Sequence, residues 1–459
     1  MPPSLETPSP ALLRRLGFFS ATALVVSNMI GTGIFGTTGF MAGDLGSASL
    51  ILAAWAVGAV FAAAGALSYS ELGVNFPRSG GEYVYLSEAY GETWGFMTGW
   101  VSFFAGFSAP IAAAALAFSD YAGYFWPAVK QSSAVTFGSG WFSVKLGYGQ
   151  ALASALIAAF TILNCFGVGR TAKVQNALTA LKLAVIAGFI VLGFATGSGS
   201  WSHFSESAVR TSTASLPAQF VISLLWVMVG YSGWNAATYV AEEIEDPKRT
   251  LPLAIATGAT VVAALYLGLN LIFIYSTPLE KMKGVIAVGS LSASNLFGPG
   301  VAGLFSALMA VAIMSTVNAM VTIGPRVYYA MARKGAFFPA AAAVHPRWHT
   351  PVAAIMSQGL CAMLMTLTPF PDLIVYIGMS LTFFTVLSAA SVFVFRKKKP
   401  NWRKLRAVSF AYPAVPLGYV LVGTCMMAYG FLNQPKASFG AAATVGAGAL
   451  LYRTALRRQ

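Results

Sequence analysis

Apolar stretches of about 20 residues, enough to cross the hydrocarbon core of a bilayer as a helix, alternate with short polar loops along almost the whole chain. They fall at residues 18–42, 48–74, 94–126, 150–168, 173–196, 216–240, 252–275, 296–325, 351–369, 372–395, 408–431 and 437–455. This pattern predicts twelve transmembrane helices. The first stretch is interrupted near its middle by Ser27-Asn28-Met29-Ile30-Gly31-Thr32-Gly33-Ile34-Phe35-Gly36. Each mid-helix glycine costs about 0.8–1 kcal/mol relative to alanine, so this glycine density predicts an unwound segment. Irregular backbone at that depth survives only where protein buries it or a wet cavity meets it.

The sixth stretch carries a second interruption, Gly230-Tyr231-Ser232-Gly233-Trp234-Asn235, again inside an apolar run. Breaks in spans one and six have the offset of two five-helix halves. An odd-to-even offset also makes the halves inverted, and a site at the midplane between such repeats is a transporter arrangement. The half-helix after each break is expected to point its partly positive N-terminal end into the membrane, where it favours an anion. Unwound carbonyls beside it suit a cation. Taken singly, either motif also reads as close helix packing through small residues.

Composition agrees and narrows the class. The chain is 57% hydrophobic and 9% charged, against about 25% charged in a soluble domain. Lys and Arg concentrate in loops on the N-terminal side, at Arg78, Lys248, Arg249, Arg326, Arg333, Arg347 and the cluster Arg396 to Arg406. The opposite loops hold Lys130, Lys145, Arg210, Lys281, Lys283 and Lys436. The asymmetry puts both termini in the cytoplasm of a cell (plasma) membrane protein. The net charge of +14 is then a topological signal with contact to anionic membrane lipids, which argues against a nucleic-acid partner. Cys165, Cys361 and Cys425 lie in apolar spans, and His203, His345 and His349 lie in loops without carboxylates at ligand spacing. Neither a metal, a cofactor nor an enzyme is expected from them. An ion channel is a further class, but a channel usually builds its filter from several subunits, whereas paired breaks in one chain suit a binding site.

At this point the residues resemble a known family. Gly31-Thr32-Gly33-Ile34-Phe35 is similar to the first-helix signature of the amino acid/polyamine/organocation superfamily, and Phe76-Pro77-Arg78-Ser79-Gly80-Gly81-Glu82-Tyr83 to its loop between helices two and three. Tyr231-Ser232-Gly233-Trp234-Asn235, Glu242-Glu243, Asp246-Pro247-Lys248-Arg249 and Arg326-Val327-Tyr328-Tyr329 resemble the L-type amino acid transporter branch, the light chains of heteromeric transporters and their bacterial relatives. The resemblance implies an all-α LeuT-type fold with a tail at 1–17, a first five-helix repeat at 18–200, a second inverted repeat at 214–396, and helices eleven and twelve at 408–456. It implies carriage of amino acids by alternating access. Backbone N–H groups at Thr32, Gly33 and Ile34 would hold the substrate carboxylate. Carbonyls at Met29, Ile30, Val229 and Ser232 would take the ammonium, with Gly31, Gly230, Tyr231, Gly233 and Asn318 around them. The family's aromatic gate position is Val229 here, so Trp226 or Tyr231 is expected to gate. The light chains' cysteine after helix three has no counterpart in residues 127–149, and no disulfide-linked heavy chain is expected.

Lys182 stands well inside span five, where a charge costs about 2.5–3.5 kcal/mol on insertion scales. Either it snorkels to the membrane surface, or, as the family resemblance implies, it fills the place where sodium-coupled relatives bind their ion and reaches Ser315 or Thr316 on span eight. The second reading implies sodium-independent transport, as an exchanger or a proton symporter. Glu71, Glu242 and Glu243 near cytoplasmic helix ends are either solvated or paired with Arg78 or Arg249, and Asn318 faces either the site or a neighbouring helix. No acid is evident within the pocket, which favours neutral L-amino acids over the alternative of cationic amino acids or polyamines. A bulky β-branched residue at Gly33 is expected to abolish binding without preventing folding.

Overall fold

In the computed structural model the described residues run from 16 to 456, apart from Thr32, Ser79, 139–142, 167–170, Glu242, Glu243, Lys334 and His349. The fold is almost entirely helical. The first apolar stretch is two helices, α1 (Phe18–Met29) and α2 (Gly33–Leu45), followed by the long α3 (Ala48–Asn75). A short α4 (Glu82–Tyr90) leads into α5 (Glu92–Val101), a π-helical stretch over Ser102–Ser108, and α6 (Ala109–Ala122). The chain continues through α7 (Tyr148–Cys165), α8 (Thr171–Thr196), α9 (Leu216–Tyr231), the single turn α10 (Ala236–Tyr239) and α11 (Pro247–Ser276). After α12 (Leu279–Met282) and α13 (Val288–Phe297) come α14 (Pro299–Arg333), α15 (Val352–Met365), α16 (Phe370–Lys398), α17 (Arg406–Phe410), α18 (Ala414–Asn433) and α19 (Pro435–Leu451).

Among the described residues seven helices are long and apolar enough to cross a membrane, with shorter apolar helices at Phe18–Met29, Ala180–Thr196, Leu216–Tyr231 and Val352–Met365. Most of the expected spans are therefore present as helix, but the first and sixth are divided at their glycine-rich breaks. The sequence pattern missed the antiparallel pair β1 (Val135–Phe137) and β2 (Val144–Leu146) and the loop helices α4, α12 and α13. These are short and carry no membrane-length apolar run.

Lipid tails are as apolar as leucine, so helices associate in a bilayer through close packing and polar contacts. The row Ala112 to Ala115 with Ala117 is buried on α6, which packs along α14. Polar contacts supply the rest. Thr38 of α2 donates to Asn270 of α11 at 2.8 Å. Asn318 of α14 accepts from Asn164 of α7 at 3.0 Å, and Asn164 in turn accepts from Thr322. The π stretch has a local cause: Pro110 has no N–H to bond the carbonyl four residues back, at Gly106, and such bulges are frequent at functional sites.

Glu71 corrects an expectation. It is fully buried and pairs with neither Arg78 nor Arg249. Instead it grips Arg396 through two bonds of 2.7 and 2.6 Å and also accepts from Trp402 Nε1 and the Leu405 N–H. Arg78 pairs with the exposed Glu88, holding that carboxyl below its ordinary range. The basic cluster after Arg396 is thus more than a membrane-facing charge, because its first member is locked to the end of α3. Glu242 and Glu243 lie outside the described residues.

Removing one partner of a buried ion pair leaves a stranded charge and costs about 3–5 kcal/mol, whereas exposed pairs contribute about 0–1 kcal/mol. Arg396→Met is therefore expected to lower the melting temperature of the detergent-solubilised protein sharply. Lys399→Gln, which breaks the half-exposed pair with Glu88, should leave it nearly unchanged.

Candidate binding site at two broken helices

The two breaks cross each other. α1 ends at Met29, with Ile30 leaving helical geometry at φ −75°, ψ 79°, and α2 restarts at Gly33. α9 continues through Gly230 and ends at Tyr231, and the chain turns at Gly233 with φ +99°. A Cβ on Gly33 would lie 2.3 Å from the Gly230 Cα, and one on Gly233 would lie 2.7 Å from the Asn28 carbonyl oxygen. The glycines thus let two backbones touch, a role the packing reading of each motif anticipated. The expectation that a bulky residue at Gly33 affects binding alone is corrected, because its Cβ would strike backbone of the facing helix.

Breaking α1 releases carbonyls, and the structure shows what meets them. Ile30 O accepts from Lys182 Nζ at 2.6 Å, and the same ammonium reaches Thr316 Oγ1 of α14 at 3.2 Å. Lys182 is 1% exposed and does not snorkel. Ser315 donates to its own helix at Ala312 O and takes no part. Met29 O accepts the Tyr266 hydroxyl of α11 at 2.6 Å and the Gly31 N–H at 2.7 Å. Val229 O accepts both the N–H and the hydroxyl of Ser232. Of the four carbonyls expected to face a substrate ammonium, those of Met29, Ile30 and Val229 already have protein donors.

The N–H groups of the first helical turn have no acceptor within their own helix, and in α2 those begin at Gly33 and Ile34. Thr32 lies outside the described residues. The second break departs from expectation, since α10 is one turn long and has too few aligned peptides to form a useful dipole.

A cavity of about 490 Å³, with the exposed Arg326 in its wall, reaches the second break and Asn28 in the last turn of α1, while Met29, Ile30, Gly31, Gly33 and Ile34 are absent from its wall. Its wall includes Asn28, Glu82, Ser102, Ser232, Asn235 and Arg326, as well as Val229 and Gly233. This size lies within the usual range for small-molecule sites, about 300–1,000 Å³. Away from it, Trp226 stacks on Phe40 at 5.2 Å and Phe40 on Phe370 at 5.9 Å. The Trp226 Nε1 has no acceptor among the described residues. Tyr231 is fully buried, points to Trp55 and Tyr266, and donates to Trp55 O, so it takes no part in that stack. Asn318 bonds α7 and is absent from the cavity wall.

Sequence reasoning overlooked four contributing residues. Glu82 is a buried acid on the cavity wall, against the expectation of none, and its signal was the Gly-Gly-Glu motif read only as a loop signature. Tyr266 was hidden in an unremarkable apolar span. Phe40 and Phe370 carried no pattern of their own.

Comparison with known proteins agrees with this architecture, for the amino acid permease family model matches residues 16–446. The chain belongs to the amino acid permease family. It stands with the L-type branch of the amino acid/polyamine/organocation superfamily, whose members have the LeuT fold and are transporters, not enzymes. The permease is 28% identical to the large neutral amino acids transporter small subunit 2 of Mus musculus, over 93% of this chain and 78% of that one. It is 28% identical to the serine/threonine exchanger SteT of Bacillus subtilis, over 90% of each chain. It is 27% identical to the b(0,+)-type amino acid transporter 1 of Mus musculus, over 94% of this chain and 85% of that one.

Two glycines separate packing from chemistry in this permease. Gly33→Ala is expected to reduce folded yield and melting temperature, because the new Cβ meets backbone that cannot rotate away. Gly31→Ala, whose Cβ would find its nearest atoms 3.9 Å away, should cost little more than propensity dictates, and the same melting measurement compares them.

Proposed function

We propose that this amino acid transporter is a sodium-independent exchanger of neutral L-amino acids, working by alternating access with both termini in the cytoplasm. One observation carries the reading: the Lys182 ammonium links the Ile30 carbonyl at the first break to Thr316 on α14. A fixed protein cation there supplies the charge that a bound sodium ion would otherwise bring. A buried lysine also exchanges protons where its surroundings change, so proton symport is the related alternative.

In this reading the substrate lies between the breaks. Its carboxylate meets the N–H groups of Gly33 and Ile34, and its ammonium meets the Ser232 carbonyl and the remaining lone pairs at Ile30 and Val229. The helices divide into inverted repeats at 18–200 and 214–396, followed by 408–456. The cavity is then the cytoplasmic entry, and the Phe40–Trp226–Phe370 stack closes the outer route. Both Glu82 oxygens are engaged by protein donors, which supports a preference for uncharged side chains. No disulfide to a heavy chain is proposed.

A second reading, transport of cationic amino acids or polyamines, is favoured by the presence of Glu82 in the cavity wall. Competition by leucine, serine, lysine and putrescine against a labelled neutral substrate separates the two readings, with inhibition by the neutral amino acids alone expected.

Purified permease in liposomes loaded with unlabelled amino acid should accumulate labelled amino acid equally with sodium or potassium outside. Stimulation by sodium would overturn the reading. Hydrogen bonds to charged groups are worth about 1.5–3 kcal/mol, so Lys182→Met is expected to slow exchange by about ten- to a hundredfold while the protein still reconstitutes.

A further inference from the structure

Glu82 opens α4 directly after the Gly80–Gly81 turn, and it is 5% exposed. Its Oε1 accepts from the Tyr69 hydroxyl at 3.1 Å and from Asn235 Nδ2 at 2.5 Å, and its Oε2 accepts from the Tyr239 hydroxyl at 2.5 Å. Among the described residues no cation forms an ion pair with it. A buried carboxylate without a cation is costly unless its oxygens are hydrogen-bonded, and these three donors provide that compensation.

The donors come from separate elements. Tyr69 belongs to α3, Asn235 closes the turn of the second break, and Tyr239 belongs to α10. The Tyr69 ring also meets Trp234 edge-on at 4.8 Å, and Trp234 stands between Gly233 and Asn235. Gly81 has φ +50°, and a Cβ on it would lie 2.8 Å from the Tyr239 ring, so the loop lies flat against α10. One carboxylate thus gathers the exit of the second break onto the loop between α3 and α5.

We propose that Glu82 is the positioning residue of the second break, holding the Ser232–Asn235 turn in the form that meets substrate arriving through the cavity. The role rests on the reading of the two breaks as the substrate site. Without the carboxylate, Asn235 and Tyr239 lose their common acceptor and the turn loses its fixed end. The Glu82 bonds are made with the cavity open to this side, so affinity from the cavity side falls more than affinity from the opposite side.

The test uses the full chain in liposomes, with half-saturation for a labelled neutral amino acid measured from each side, for wild type, Glu82→Gln, Asn235→Asp and the double variant. Glu82→Gln leaves one carbonyl oxygen where two carboxylate oxygens took three donors, and Asn235→Asp sets carboxylate against carboxylate. Each should raise half-saturation on the cavity side about tenfold or more. The double variant exchanges the two roles, with the new amide on α4 donating to the new carboxylate at the turn, and should return within about threefold of wild type. Melting temperature should show the same loss and recovery. Tyr239→Phe removes one donor without adding repulsion and should give a milder rise, larger on the cavity side.

Single variants indistinguishable from wild type, losses that accumulate in the double variant, or equal shifts on both sides would overturn the role. A wild type that transports with unaffected variants overturns this inference alone. A wild type that takes up no amino acid overturns the site reading beneath it as well.

Discussion

Everything in this permease follows from the need to satisfy backbone that has left helical geometry where water is scarce. Each opened peptide group in hydrocarbon costs several kcal/mol unless a partner is found. The chain meets this cost by crossing its two breaks, so that each lies against the other, and by sending side chains from neighbouring helices to the released carbonyls. Lys182 from α8 and Tyr266 from α11 end on Ile30 and Met29. The Ser232 hydroxyl turns back to Val229 within its own segment. The proposed site is what remains after those obligations are met.

That order of events explains why the glycines are where they are. Gly33 and Gly230 permit the close crossing, and Gly233 permits both the turn and its approach to Asn28. Packing and binding are not rival accounts here, since the close approach that packing needs is also what brings N–H and C=O groups of both breaks into one small volume. The ammonium of Lys182 binds three helices at that point and so ties the state of the first break to α14.

Away from the breaks, buried charge is handled by enclosure. Glu71 and Arg396 satisfy each other with Trp402 and the Leu405 N–H as further donors, fixing the loop after α16 to the end of α3. Glu82 has donors but, among the described residues, no such cation, and it lies on the cavity wall. One carboxylate therefore fixes a loop to the end of α3, while the other gathers α3, α4 and the second break beside the cavity.

Much of this was legible in the chain itself. The apolar stretches and their glycine-rich interruptions set the helices and the depth of the breaks, because helix length and the cost of unwinding in a membrane are local properties. Lys182 was conspicuous for the same reason, as a charge in hydrocarbon needs a partner. What the sequence could not provide were the partners. Thr316 and not Ser315 meets Lys182, Arg396 and not Arg78 meets Glu71, and Tyr231 turns away from the site although it lies inside the motif. Phe40, Phe370 and Tyr266 join the site's surroundings without any local signal. These choices depend on which helix faces which, at what rotation, and long-range packing alone decides that. The sequence by itself determined a membrane-embedded helical protein with two broken spans and one cation placed within a span. The tertiary structure decided which groups fill the breaks and which stay open to the cavity, because hydrogen-bond partners come from residues far apart in the chain.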